Sequence, residues 1–393
     1  VKLILKTKTP VHIGTGQRYG PSEFFAVGGT VNRVSSEQMY RALPEARKDA
    51  FFMEIELNGE RFNLDRFLLP GEREGIARYG LRNRYGVAVH GIREVRECIK
   101  TGFDEPYLPG SSIKGAIRTA LLWDVARNDP EFIEAIRRDL STGDRRMKER
   151  IGKGYENQIF STKCGRNGRP DRDPKYDLLK FLQVSDAHAV QASKGLKQIL
   201  RLDGIETMSL GTRGFTRKPF LTHAETVIGE YECEITLSPA IQGALRRRDL
   251  DRLSDRLGVL GITAHDLDDL AAAEEKVVAH IKKAMRRFVD AALTKERALV
   301  ERGNDPDCRK GLEMIEAEHQ KTDMFRIGFG VGTIYQTLFN LVEERDPDLA
   351  LEIVTEQRLG KYRRALSGGR LELPYPKTLE FTLNHSPMGW VRW

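Results

Sequence analysis

Cysteine is scarce in this sequence. Cys98, Cys164, Cys233 and Cys308 are the only four in 393 residues, and no two of them form a CxxC pair. Isolated cysteines do not supply the paired ligands of a structural zinc site, and such sparse use fits a reducing compartment rather than a disulfide framework. No apolar run approaches the roughly 20 residues that a membrane-crossing helix needs. No signal-peptide pattern opens the sequence. These absences predict a cytoplasmic protein with no membrane segment, no metal and no cofactor. Acid is also in short supply: 57 Asp and Glu face 64 Lys and Arg, a formal net charge of +7. On this length the surplus is mild, but it favours a polyanionic partner.

Hydrophobic residues make up 40% of the chain, enough for sizeable cores, and charged residues reach 31%. The length allows two domains or one elaborated one. Basic residues outnumber acidic ones from Arg145 to Lys175, and Arg358, Lys361, Arg363, Arg364 and Arg370 follow one another with no acid between them. A charge run is ordinarily a solvated face. Several such runs beside glycine turns shift the balance toward nucleic acid.

Periodicity predicts an α+β fold. The alternation of Leu3 and Leu5 with Lys2, Ile4 and Lys6 predicts a strand, as do Thr30–Val34, Leu178–Ser185 and the long run Ala224–Leu237. Ser35 or Ser36 caps a helix to about Arg47, and the apolar residues from Phe51 to Leu69 read as a hairpin or insertion. Residues 141–176, polar and basic, read as a mobile loop. Val277, Val278, Ile281, Met285, Phe288, Val289 and Ala292 recur at helical spacing, and the acidic block at Asp266 looks like a capped start. The glycine-rich segment at 328–332 precedes a helix from Ile334 to about Glu344. Thr378–Leu383 and Trp390–Trp393 close the chain as strands.

The segment Pro106–Trp123 carries the clearest chemistry. Pro109 and Gly110 mark a turn, Ser111 or Ser112 can cap a helix, and Ile113, Ile117, Ala120 and Leu121 form its apolar face. Lys114 and Arg118 lie one turn apart beside that face. Free N–H groups, two hydroxyls and two cations at a helix start make a phosphate site. Spacing alone leaves an ordinary capped amphipathic helix equally open. A second phosphate candidate is Gly328, Gly330 and Gly332 with Arg326 before them and Thr333 as helix cap. A packing turn is the alternative there. Arg213, Phe215, Arg217 and Lys218, followed by Phe220, interleave cations and rings at a loop or hairpin tip suited to stacking on bases; Arg82, Arg84 and Tyr85 form a similar cluster. His12 is the one catalytic candidate, and a structural hydrogen-bonding role is the more ordinary reading. Asp186 and His188 share strand parity as a possible acid–base pair.

The ordered set of Thr9–Gly16, the Lys114 segment, Arg326–Thr333 and Pro387–Trp393 resembles the RAMP superfamily of CRISPR RNA-binding proteins, most of all the Csm subunits of type III-A effector complexes. The resemblance is weak between about Thr142 and His319. It implies a ferredoxin-like core in two degenerate units with a helical insertion. The implied division is 1–140 for the first unit, 141–176 for the loop, 177–239 with 321–393 for the second unit, and 240–320 for the insertion. It implies a non-catalytic subunit that caps a filament of repeated RAMP subunits near the 3′ end of the CRISPR RNA and supports maturation of that end. Its partners would be CRISPR RNA, the repeated backbone subunit, the small helical subunit and cellular nucleases. Slicing relatives carry an acidic residue where Asn32 and Arg33 stand here, and asparagine does not replace a charged metal ligand. A RAMP ribonuclease acting on CRISPR or target RNA, and a purely structural assembly subunit, are the alternatives.

Overall fold

Strand β1 (Lys2–Thr7) buries Leu3, Leu5 and Thr7 and exposes Lys2 and Ile4, as its alternation predicts. The computed structural model to which it belongs describes residues 1–141, 151–165, 168–192, 195–196, 198–359, 366–367, 370–371 and 374–393. The next strands are β2 (Gly14–Tyr19), β3 (Phe24–Val27), β4 (Thr30–Val34), β5 (Ala77–Arg82), β6 (Val95–Cys98), β7 (Leu182–Val184) and β8 (His188–Ala189). A small pair, β9 (Gln191–Ala192) and β10 (Gly195–Leu196), leads into a long hairpin, β11 (Gln198–Gly211) and β12 (Gly214–Leu237). Then come β13 (Met324–Arg326), the short pair β14 (Leu366–Ser367) and β15 (Arg370–Leu371), β16 (Thr378–Thr382) and β17 (Trp390–Arg392).

Among the described residues a 13-stranded sheet has the main path β13-β17-β1-β12-β11-β5-β4-β3. Strands β6, β7 and β8 also border β12, β2 borders β6, and β16 borders β11. One face of this sheet, the inner face, is covered by two helices. Ile113 and Ile117 of helix Gly110–Ala126 and Val277 and Ile281 of helix Leu270–Gly303 belong to one core with Leu3, Leu5, Tyr231 and Cys233. The long helix buries every residue of its expected stripe, and Asp269 caps it by accepting from the N–H groups of Ala271 and Ala272. Such a cap satisfies donors that the first turn leaves free.

Two expectations are corrected. Residues 36–58 form two helices, Ser36–Ala42 and Glu45–Asn58, separated at Pro44, with a short helix Leu64–Phe67 after them. No hairpin forms there, because Phe51 and Ile55 recur at helical rather than alternating spacing and pack into a separate small core with Phe25, Met39, Phe62 and Leu64. The mobile loop expected at 141–176 contains a helix, Lys153–Phe160, that buries Tyr155, Ile159 and Phe160. Three large apolar side chains outweigh the surrounding charge; residues 142–150 and 166–167 of that segment lie outside the described residues. Segments on either side of residues 140, 176, 239 and 320 contribute to one core. β1 pairs with β12 from Lys2↔Glu234 to Lys6↔Glu230, and the helix of the expected insertion packs into the same core as both.

Candidate nucleic-acid interface

The helix at 110–126 starts at Gly110, with Pro109 before it and no side-chain cap. Ser111 and Ser112 therefore lie inside the first turn, not at the cap. Its N-terminal donor is already used: Gly110 N–H donates to Asp186 Oδ1 at 2.7 Å. Lys114 turns inward and donates to the carbonyl of Leu182 at 2.7 Å, and burial pushes its pKa down. Arg118 donates to Glu156 Oε1 at 2.5 Å and Asp177 Oδ2 at 2.6 Å, with its guanidinium 4.2 Å from the Phe160 ring. The expected phosphate site is thus a packing junction in which both cations have internal partners.

The glycine loop shows the same outcome. Arg326 is 4% exposed. It donates to both oxygens of Glu296 at 2.9 and 3.0 Å and to the carbonyl of Met388 at 2.6 Å, beside the rings of Tyr335 and Trp390. Gly328 and Gly330 have φ of +86° and +81°. A Cβ at Gly328 would overlap the carbonyl oxygen of His12, and one at Gly330 would stand 3.0 Å from Met388 Cβ. Both glycines are needed for close approach to protein. Gly332 is the exception, exposed with nothing within 4 Å of an added Cβ. The following segment is two short helices, Gly332–Gln336 and Phe339–Arg345, and Val331 rather than Thr333 stands at the first cap.

His12 is 3% exposed. Its Nδ1 lies 2.7 Å from the carbonyl oxygen of Glu225, and burial pushes its pKa down. Asp186 is spent on the helix start, and His188 stacks on Tyr107 with ring centroids 5.6 Å apart. Among the described residues no hydrogen bond joins Asp186 or His188 to His12. Asn32 and Arg33 lie in β4, with Arg33 bound to Glu23 Oε1 at 2.9 Å and set over the Tyr19 ring. Among the described residues no group of three or more His, Cys, Asp or Glu side chains is placed to hold a metal ion. No helix of the described residues is long and apolar enough to cross a membrane.

Of the tip expected at Arg213–Phe220, only Arg213 lies in the turn of the β11–β12 hairpin, where Gly211 opposes Gly214; the residues from Gly214 to Phe220 belong to strand β12. Phe215 is anchored: a Cβ added at Gly303 would collide with its ring. Arg217 pairs with the buried Glu206 at 2.9 Å. Arg213 and Lys218 have no carboxylate partner among the described residues, and Phe220 is 57% exposed. Among the described residues, this hairpin end and the Arg82–Tyr85 cluster are the expected sites that keep cations without a carboxylate partner near a ring. The basic residues Lys361, Arg363 and Arg364 lie outside the described residues. Sequence reasoning missed Arg96, whose guanidinium lies 4.5 Å from the Phe329 ring, and Arg201, which lies 4.9 Å from the Tyr85 ring. Their only signal was a polar residue on the outward parity of a strand.

Comparison with known proteins gives these sites a context. A model of the RAMP superfamily matches residues 4–288. The CRISPR system Cms protein Csm5 of Streptococcus thermophilus is 34% identical over 133 residues, covering 31% of this chain and 37% of that protein. Csm5 of Methanocaldococcus jannaschii is 23% identical over 414 residues, covering 98% of this chain and 86% of that protein. A chain of the cryo-EM structure of a Csm–crRNA–target RNA ternary complex from a type III-A CRISPR-Cas system matches with a TM-score of 0.70 at 22% identity, covering 99% of this chain and 98% of that one. The crystal structure of T. onnurineus Csm5 matches with a TM-score of 0.60 at 19% identity, covering 99% and 100%. At these identities the structural likeness establishes a shared α+β fold.

Proposed function

Because the chain belongs to the RAMP superfamily, whose model spans residues 4–288, we propose that it is a non-catalytic RNA-binding subunit of a type III-A Csm complex, corresponding to the fifth Csm subunit. It caps the filament of repeated subunits near the 3′ end of the CRISPR RNA, supports maturation of that end and adjoins the other Csm subunits. The observation that carries this reading is the end-to-end fold likeness to a Csm-complex chain together with a Csm5 relative aligned over 98% of the sequence. The antiparallel order β17-β1-β12-β11, with the two long helices on one face, supports a ferredoxin-like core. The burial of His12 and the internal use of Asp186 support a binding role over a ribonuclease.

In this reading the distal half of the β11–β12 hairpin touches RNA through Arg213 at the turn and Lys218 and Phe220 on β12. All three lie away from the cores, so alanine substitutions there should change stability by no more than about 0.5 kcal/mol. The test is reconstitution with the other Csm subunits and a CRISPR RNA. The triple alanine variant should retain less RNA than wild type, and neither protein should cut labelled RNA with or without Mg²⁺. Undiminished RNA retention would remove the tip from the interface. Cleavage that survives repurification and disappears in His12→Ala would favour the ribonuclease.

A further inference from the structure

The outer face of the sheet, opposite the two long helices, divides into two electrostatically different halves. Along β1 and β12, Lys2, Ile4 and Lys6 stand opposite Glu234, Glu232 and Glu230. Lys6 pairs with Glu230 at 3.0 Å and Lys2 with Glu232 at 3.5 Å. This half neutralises itself and carries three glutamates, so it repels a polyanion.

The other half does not neutralise itself. Arg18 of β2 stands opposite Arg96 of β6, and Arg96 stands opposite Ala224 of β12. Two residues on from Ala224, Thr226 stands opposite Arg201 of β11, which in turn stands opposite Arg82 of β5. Residues in register, or two apart on one strand, project from the same face. Four arginines from distant parts of the chain are therefore aligned across five strands, a span of about 19 Å at about 4.8 Å per step. Like charges in neighbouring cross-strand positions destabilise a sheet. Compensation from the protein is incomplete. Asp203 pairs with Arg201 at 2.7 Å, and Glu94 pairs with Arg18 at the surface. Arg82 and Arg96 form no ion pair among the described residues, and neither does Arg84 beside them. Glu380, a carboxyl near Arg96, has its pKa pushed up by burial.

Two half-buried rings lie along the row. Tyr85 lies beneath Arg201 and Arg84, at 4.9 and 5.7 Å from their guanidinium carbons. Phe329 lies beneath Arg96, held there by the glycine loop through a small core with Ile205, Ala224 and Met388. Ala224 and Thr226 at the centre of the row are fully buried, and Arg201, 5% exposed, positions the Tyr85 ring; the exposed Arg18, Arg82 and Arg84 and the half-buried Arg96 supply the outward charge. Guanidinium groups interleaved with rings, with cations left over after the carboxylates beside them are paired, suit phosphates and stacked bases rather than a protein surface.

We propose that this arginine row is a track for single-stranded RNA across the outer sheet face, bounded by the acid-bearing half. The inference rests on the RNA-binding reading above and adds a site separate from the hairpin tip. Its test uses the full chain and a fluorescein-labelled oligouridylate, with affinity measured against salt concentration. Arg18→Ala/Arg82→Ala/Arg84→Ala should lower the salt slope by about two, at about 0.7 per lost contact with a single strand. Lys2→Ala/Lys6→Ala, on the other half, should leave it unchanged. Photo-crosslinking of 4-thiouridine RNA to the unmodified protein should mark peptides containing Tyr85 or Phe329, and this arm holds even if the triple variant misfolds. An unchanged slope in the folded triple variant, or crosslinks confined to other peptides, overturns the track. If wild type binds and only the tip variant weakens it, the track alone fails; if wild type binds no RNA, the RNA-binding reading fails with it.

Discussion

A cation is a ligand for phosphate only if its own protein leaves it unpaired. Arg326 illustrates the point. It stands beside three glycines in sequence, yet its side chain and that of Glu296 are each 1% exposed and paired with one another. Tyr335 adds a hydrogen bond to Glu296 at 2.6 Å. Removing one partner of a buried pair strands the other charge, at a cost of about 3–5 kcal/mol. Arg326→Ala is therefore expected to lower unfolding stability by that amount in a guanidinium titration. A variant with wild-type stability and weakened RNA binding would return Arg326 to the interface.

At the level of elements, the Gly110–Ala126 helix is set by close packing rather than by a ligand. A Cβ at Gly110 would overlap the carbonyl of Val184 and approach that of Ser185 to 2.6 Å. Gly115, one turn along on the exposed side, has nothing within 4 Å. The two positions should respond with opposite signs. Gly110→Ala should destabilise by about 1–3 kcal/mol through overpacking. Gly115→Ala should stabilise by about 0.5–1 kcal/mol, because alanine loses less backbone entropy in a helix. Thermal denaturation of the two variants reads the contrast directly, and equal shifts would show that the junction with β7 is loose.

Across the whole molecule, the N-terminal strands are joined to the central hairpin through one buried carboxylate. Glu225 of β12 is fully buried and accepts from Tyr19 of β2 at 2.9 Å, Tyr79 of β5 at 2.8 Å, the Cys98 N–H of β6 at 3.0 Å and Lys100 Nζ at 2.5 Å. Burial pushes both phenol pKa values up, so Tyr19 and Tyr79 remain donors. Glu225→Ala leaves Lys100 with the Cys98 carbonyl at 3.0 Å and Glu97 as its remaining carboxylate, 3.5 Å away, and should cost about 3–5 kcal/mol. Hydrogen exchange should report the loss first as faster exchange in β5 and β6. Protection unchanged in both strands would mean that the seam is held by packing alone. Because the arginine row crosses this same seam, the network fixes the register on which the row depends.

Local periodicity was enough to read β1, β12, the closing strands and the apolar stripe of the long helix, since each repeats over neighbouring residues and needs no knowledge of partners. The cap at Asp269 and the likeness to RAMP proteins were legible for the same reason: both lie in short contiguous segments. The pairing of charges was not. Arg118 meets Glu156 and Asp177, and Arg326 meets Glu296, across separations that no local pattern encodes. The alignment of Arg18, Arg82, Arg96 and Arg201 arises from strand register between segments far apart in the chain. Sequence by itself determined which residues could be inside and which elements they would build. Only the tertiary structure decided which cations are neutralised and which remain free, because an electrostatic partner is set by distance in space, and that distance exists only once the sheet has formed.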